Sequence, residues 1–232
     1  MTTLLRIDAS ARRSDNPMPQ HNSISRQLAD TFVGAWEHNL PETGIIERDL
    51  GLAPPDFISQ AWIAAVFRPE SERSPTQRAL LTQSDTMIDE LRRADIVVLS
   101  TPMYNYGMPA ALKAWFDQIV RIGETFTFDL DRGDYPLEPI LSGKTLVLLT
   151  SSGEFGFAGG GMREAHNHLA PHIRTLGPYL GASQIIEIGA EYQEFGGKRH
   201  AASVREAHED AREAAERLAR EVGTIRPATV AP

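Results

Sequence analysis

Three short groups of residues are suited to binding chemistry. Thr101-Pro102-Met103-Tyr104-Asn105-Tyr106-Gly107-Met108-Pro109 follows the apolar run Ile96-Val97-Val98-Leu99, which reads as a buried parallel strand. Peptide N–H groups fixed in such a loop can reach a planar ligand, with Tyr104 and Tyr106 walling it in. Ser10, Ser23, Ile24 and Ser25 lie at or before the start of a helix. A helix N-terminus carries unsatisfied N–H groups and partial positive charge, and serine hydroxyls add donors, a combination that suits a phosphate monoester. A plain N-cap at Ser23 would use the same residue. The third group, Ser151-Ser152-Gly153-Glu154, directly follows another apolar strand.

Met103-Tyr104-Asn105-Tyr106-Gly107-Met108-Pro109 with Leu112-Lys113 and Phe116-Asp117 closely resembles the flavin loop of FMN-dependent NADH:quinone oxidoreductases of the azoreductase type, and the resemblance runs from about Leu4 to about Leu218. It implies a flavodoxin-like fold, FMN as cofactor, and NADH or NADPH as co-substrate. It also implies quinones and aromatic azo compounds as acceptors, and a homodimer. The family joins an early serine to a Ser-x-Ser step around the phosphate, matched here by Ser10 and Ser23-Ile24-Ser25. It sets Asn105 and its neighbours Met103, Tyr104 and Tyr106 at the flavin edge where charge accumulates on reduction, and the third loop at the pyrimidine end.

Two departures stand out. The stretch between Ser10 and Ser23 is longer than the family's, and contains Arg12, Arg13, Pro17, Pro19 and His21. It reads either as a flap over the phosphate or as a bulge into solvent, with the arginines neutralising phosphate in the first case and merely solvated in the second. In the third loop Ser152 stands where the family has arginine, and Glu154 where it has a last glycine. The missing cation implies less stabilisation of a reduced, anionic flavin and a lower redox potential.

The surrounding elements must carry these loops at one edge of a sheet. Strands are expected at Thr3–Asp8, Gly44–Leu50, Ile96–Ser100, Thr145–Thr150 and Gln184–Ile188. Helices are expected from about Ser23 to Asn39, from the Ser74-Pro75 cap to near Arg93, from Pro109 to Val120, from Glu164 to Leu180, and from Ala201 to Arg220. Pro171 is expected to delay or kink the fourth of these. The result is a single α/β domain over residues 1–222, a five-stranded doubly wound parallel sheet with helices on both faces, for which the resemblance implies the order 2-1-3-4-5. A flexible tail is expected from 223 to 232. The three loops then follow strands one, three and four, where open α/β sheets bind ligands.

Composition narrows the classes further. With 232 residues, 41% hydrophobic and 23% charged, the chain is an ordinary globular one. Its net charge of −8 argues against a general polyanion binder. There is no cysteine, which excludes disulfides, thiolate metal sites and the cysteine-dependent phosphatases of similar fold. Neither a signal peptide nor a membrane span is evident, so a cytoplasmic protein is expected. His168 and His172 are four apart but lack a third ligand, and no metal is expected. Gly156 to Gly161 lacks dinucleotide-fingerprint spacing and reads either as a mobile loop beside the site or as an ordinary surface loop.

The expected reaction passes hydride from NADH or NADPH through FMN to the acceptor by a ping-pong route, with no catalytic side chain required. Tyr106, Phe126 and Phe128 are the expected walls of the acceptor pocket, and Phe57, Trp62, Ile63, Val66 and Phe67 the expected dimer surface. A flavodoxin-type electron carrier and a flavin-free interaction protein on the same fold remain the alternatives.

Overall fold

The computed structural model describes residues 2–225. Five parallel strands form the central sheet: β1 (Thr3–Asp8), β2 (Gly44–Asp49), β3 (Ile96–Pro102), β6 (Lys144–Ser151) and β7 (Ala182–Ala190), in the order β2-β1-β3-β6-β7. This is the expected 2-1-3-4-5 order. Two short strands, β4 (Phe126–Phe128) and β5 (Leu137–Pro139), make a separate antiparallel hairpin that the sequence reading did not foresee.

Side chains alternate between the faces of a strand, and neighbouring apolar residues therefore enter different cores. Leu4, Ile96, Val98, Val147 and Leu149 face α1 (Ile24–Asn39) and α6 (Gly197–Ile225). Leu5, Ile7, Val97, Leu99, Leu146 and Leu148 face the other layer. That layer comprises α3 (Pro75–Arg93), α4 (Ala110–Ile119) and α5 (Ala170–Leu176). α6 lies against α1 through Ala207, Ala211, Ala214, Ala215 and Ala219, small residues at helical spacing that let two backbones approach. Its outer face carries i,i+4 pairs such as Arg217–Glu221 at 3.1 Å.

Three boundaries differ from expectation. The helix expected from Glu164 to Leu180 is broken into a 3-10 turn at Glu164–His166, α5, and a second 3-10 turn at Gly177–Leu180. Pro171 and Pro178 each lack the N–H an interior helical position needs, so each sits in a first turn. Asn167 Oδ1 opens α5 by accepting from the amides of Leu169 (3.1 Å) and Ala170 (3.2 Å). α6 runs to Ile225, so the boundary placed after residue 222 falls inside a helix, and residues 226–232 of the expected tail lie outside the described residues.

The third difference concerns the apolar segment from Phe57 to Phe67. It contains a short helix, α2 (Gln60–Val66), capped by Ser59 and packed on α3. Helical spacing splits the expected dimer surface in two: Trp62 and Val66 are buried with Leu81, while Ile63, Phe67 and the preceding Phe57 are exposed. Trp62 and Val66 are therefore core residues of the single chain. Among the described residues no helix is long and apolar enough to cross a membrane.

The strand order fixes where a ligand can enter. From β1 the chain runs through α1 on one face to β2, then through α3 on the other face to β3, which pairs with the opposite edge of β1. The loops after β1 and β3 leave the sheet in opposite directions and open a crevice at its carboxyl end.

Candidate functional site

One end of that crevice is the start of α1. Ser23 is the N-cap, its Oγ accepting from the Arg26 amide at 3.3 Å, and its own amide donates to the Arg13 carbonyl at 2.8 Å. Ser23 Oγ lies 3.2 Å from Ser25 Oγ, and both residues are buried, as is Ser10. The amides of Ile24 and Ser25 have no acceptor among the described residues, the condition of a helix terminus prepared for an anion.

Arg26, which the sequence reading passed over, holds this end together. Although 6% exposed, it donates to both oxygens of Asp49 (2.7 and 2.6 Å) and to the Ser10 carbonyl (2.8 Å). Asp49 in turn accepts from the amides of Gly51 and Leu52, each at 3.0 Å. Burial raises the Asp49 carboxyl, but the hydrogen bonds from Arg26 and these amides outweigh it and hold the group below its ordinary range. Gly51 must be glycine here, since a Cβ would stand 2.0 Å from the Ser10 carbonyl oxygen. The long 11–22 stretch is folded against this end: it includes a 3-10 turn at Pro19–His21, and Arg12 and Asn22 line the cleft. Arg13 instead pairs with Asp15 at 2.7 Å on the surface.

The other end is the turn after β3. Tyr104 and Gly107 exchange backbone hydrogen bonds at 3.0 Å in both directions, and Asn105 (φ 47°) and Tyr106 (φ 67°) between them are both left-handed. Asparagine tolerates that conformation; tyrosine does so at a cost. Tyr106 is held there by its carbonyl, which accepts from the His168 amide at 2.9 Å. Edge-on packing of its ring against Phe157 and His166 adds to this, with centroids 6.3 and 5.8 Å away. His168 thus serves through its backbone. The neighbouring Glu154 carboxylate raises the pKa of the Tyr106 phenol.

The third loop closes the floor. The Ser151 carbonyl accepts from the Met103 amide at 2.8 Å, and Ser152 Oγ donates to the Glu154 carbonyl at 2.9 Å. Glu154 forms an ion pair with Arg163 at 3.0 Å, so the position without the family's arginine has a cation brought near it from elsewhere, already neutralised. Residues after β7 join this floor: Gln193 donates its amide to the Ser152 carbonyl (3.2 Å) and Glu194 to the Gly153 carbonyl (3.0 Å). That segment is braced by stacking of Phe155 on Tyr192, centroids 4.4 Å apart, with the Arg199 guanidinium 5.0 Å above the Tyr192 ring.

These loops meet in one two-lobed cleft. A lobe of about 280 Å³ is lined by Ser10, Ser23 and Ile24 on one side and Met103, Tyr104, Ser151 and Gly153 on the other. A lobe of about 360 Å³ is lined by Asn105, Tyr106, Ser152, Glu154 and Phe157, and shares Met103, Gly153 and Glu194 with the first. Ser25 does not line this lobe itself, and its Oγ meets that of Ser23, which does. Phe126 and Phe128 are not brought to Tyr106 within one chain: Phe126 packs on Tyr179, 5.7 Å between centroids, and Phe128 on the hairpin is half exposed. Gln193, Glu194 and Phe157 were missed. The position of Tyr192-Gln193-Glu194 just past a fifth parallel strand was the available signal.

Comparison with known proteins agrees with this architecture. Residues 2–215 match the model of the flavodoxin-like fold family. The chain is 58% identical over 218 residues, 94% of its length and 100% of the relative's, to "FMN-dependent NADH:quinone oxidoreductase 2" of Colwellia psychrerythraea. It is 39% identical over 210 residues, 90% of its length and 96% of the relative's, to "FMN-dependent NAD(P)H:quinone oxidoreductase 1" of Pseudomonas aeruginosa. Among solved structures, an azoreductase from Bacillus anthracis shares the fold with a TM-score of 0.80 at 18% identity, covering 94% of this chain and 100% of that one. With a cleft at the switch point of this sheet and relatives this similar along nearly their whole length, the chain belongs to the family of FMN-dependent NADH:quinone oxidoreductases.

Proposed function

We propose that the protein binds FMN in the two-lobed cleft and oxidises NADH or NADPH to reduce quinones and aromatic azo compounds. The observation that carries this reading is the continuity of the cleft from the buried serine step to the left-handed turn, in a chain 58% identical to a protein named for this activity. FMN fits the residues present. Ser10, Ser23, Ser25 and the free amides of Ile24 and Ser25 are donors suited to a terminal phosphate, and the site ends there. The cofactor, when bound, accepts hydride from the nicotinamide and gives it to the acceptor.

The chain's residues position and shield. Met103, Asn105 and Tyr106 present backbone at the ring end in a preformed turn, which limits the entropy lost on binding. Tyr106 and Phe157 supply flat apolar faces, and flat aromatic acceptors match them with little demand for specificity. With Glu154 paired to Arg163, Glu194 is the carboxylate that puts negative charge beside the ring end and favours a low redox potential. One pocket used in turn by nicotinamide and acceptor makes the kinetics ping-pong. The exposed Phe57, Ile63 and Phe67, with Phe128 and the hairpin, support a homodimer whose partner completes the acceptor pocket. The cytoplasm is the proposed location.

Anaerobic addition of NADH to the FMN-reconstituted protein tests the reading. Bleaching of the flavin, its return on adding a quinone, and parallel initial-velocity lines are expected. Failure of NADH to bleach bound FMN would favour an electron carrier, and failure to bind FMN would remove the proposal.

A further inference from the structure

The glycine-rich segment from Gly156 to Gly161 is pinned rather than loose. The Gly156 carbonyl accepts from the Arg163 amide at 2.8 Å, and Gly161 sits so close to it that a Cβ would lie 2.4 Å from that oxygen. The strongest fastening comes from Glu191, the first residue after β7. Its carboxylate accepts from the Gly156 amide at 3.0 and 3.1 Å and from the Phe157 amide at 3.2 Å, while its own amide donates to Ser203 Oγ on α6 at 2.9 Å. The Phe157 carbonyl is held as well, accepting from Asn167 Nδ2 at 3.1 Å. Phe157 is thus gripped on both sides of its backbone by side chains from other parts of the fold. Its buried ring meets Tyr106, a residue in a conformation that tyrosine holds only when its surroundings insist.

We infer that Glu191 is a positioning residue for the ring end of the cleft: it fixes the backbone of Phe157, which seats the Phe157 ring against Tyr106 and so sets the wall that flavin and acceptor meet. Glu191 lines neither lobe of the cleft and acts only through Phe157. The inference rests on the proposed FMN site. A carboxylate accepting from two adjacent amides is a geometric device more than an electrostatic one. Because Oε1 alone accepts from both Gly156 and Phe157, a glutamine can keep both bonds.

The test uses the full-length protein, FMN affinity of the apoprotein by fluorescence quenching, and steady-state kinetics with 1,4-naphthoquinone. Glu191→Ala and Phe157→Leu should each weaken FMN about tenfold and raise the KM for naphthoquinone, since small displacements at a reacting site have large effects. Glu191→Gln should remain within about twofold of the parent, and the Glu191→Ala/Phe157→Leu double variant should be no worse than either single one, because both break the same unit. A merely structural role predicts that losses track the thermal midpoint of the apoprotein, that glutamine does not rescue, and that the double variant is additive. Any of these, or unchanged FMN affinity in Glu191→Ala, overturns the inference. Should Glu191→Ala not fold, Glu191→Gln and Phe157→Leu still decide it. If the parent protein itself binds no FMN, it is the proposed function that fails.

Discussion

At the serine end of the cleft a guanidinium at 6% exposure is locked between the Ser10 carbonyl and the Asp49 carboxylate, whereas at the ring end two left-handed residues and a glycine-rich segment are propped from outside. The first is built from buried charge, which is rigid and intolerant of change. The second uses backbone strain and aromatic edges, with Tyr106 and Tyr104 partly open to solvent. The division matches what the proposed function asks of each end: a phosphate that stays, and a nicotinamide and acceptor that come and go. Stability and cofactor affinity should therefore be sensitive at one end, and turnover at the other.

The largest break should come from Arg26→Leu. It removes the cation paired with Asp49 and the donor to the Ser10 carbonyl; Asp49 keeps its amide bonds and its side chain is 30% exposed, so the loss falls below that of a fully buried pair, at about 2–3 kcal/mol. Denaturant unfolding of the apoprotein should show that loss, with FMN binding abolished. A stable apoprotein with normal affinity would mean that the charge network is not what holds the serine end.

A smaller and differently shaped effect is expected at Tyr106→Gly. Relief of the left-handed tyrosine, of order 1–3 kcal/mol, offsets the lost ring packing, so apoprotein stability should stay within about 1 kcal/mol of the parent. Quinone turnover should nevertheless fall about tenfold as the wall is lost. Parallel unfolding and kinetic measurements check it; a loss of stability as large as that of Arg26→Leu would erase the contrast.

The smallest effect sharpens the comparison through pH. Asp49 has its folded pKa lowered, so the native state binds fewer protons than the unfolded chain once the pH approaches the unfolded value of about 4. Its stabilisation is complete above that value and is lost as the pH falls through the folded one. Unfolding free energy followed from about pH 6 down to about pH 3 should decline, with a flatter slope for Asp49→Asn despite its lower stability at neutral pH.

How much of this was legible in the sequence depended on whether the signal was local. The strands were readable because Leu4-Leu5, Ile96 to Leu99 and Leu146 to Leu149 are apolar on both faces, as a covered parallel sheet requires. The serine step and the loop from Met103 to Tyr106 were readable from residue type and position at strand ends together with the family resemblance. What was hidden came from pairings distant in sequence. Arg26 reads as an ordinary helical arginine until Asp49, 23 residues on, is placed beside it. Glu191 and Phe157, 34 residues apart, meet only because β6 and β7 are neighbours. The hairpin at Phe126 is a short element whose packing partner, Tyr179, lies well along the chain.

The central claim is that the serine end of the cleft takes a phosphate and the ring end takes the flavin of the same molecule. Titration of the apoprotein with FMN and with riboflavin, which lacks only the phosphate, tests it most directly. Hydrogen bonds to a charged group contribute about 1.5–3 kcal/mol each, so FMN should bind at least about a hundredfold more tightly than riboflavin. The Ser23→Ala/Ser25→Ala variant should lose most of that preference while binding riboflavin as the parent does. Equal affinity for the two ligands, or a preference that survives in the double variant, would contradict the account.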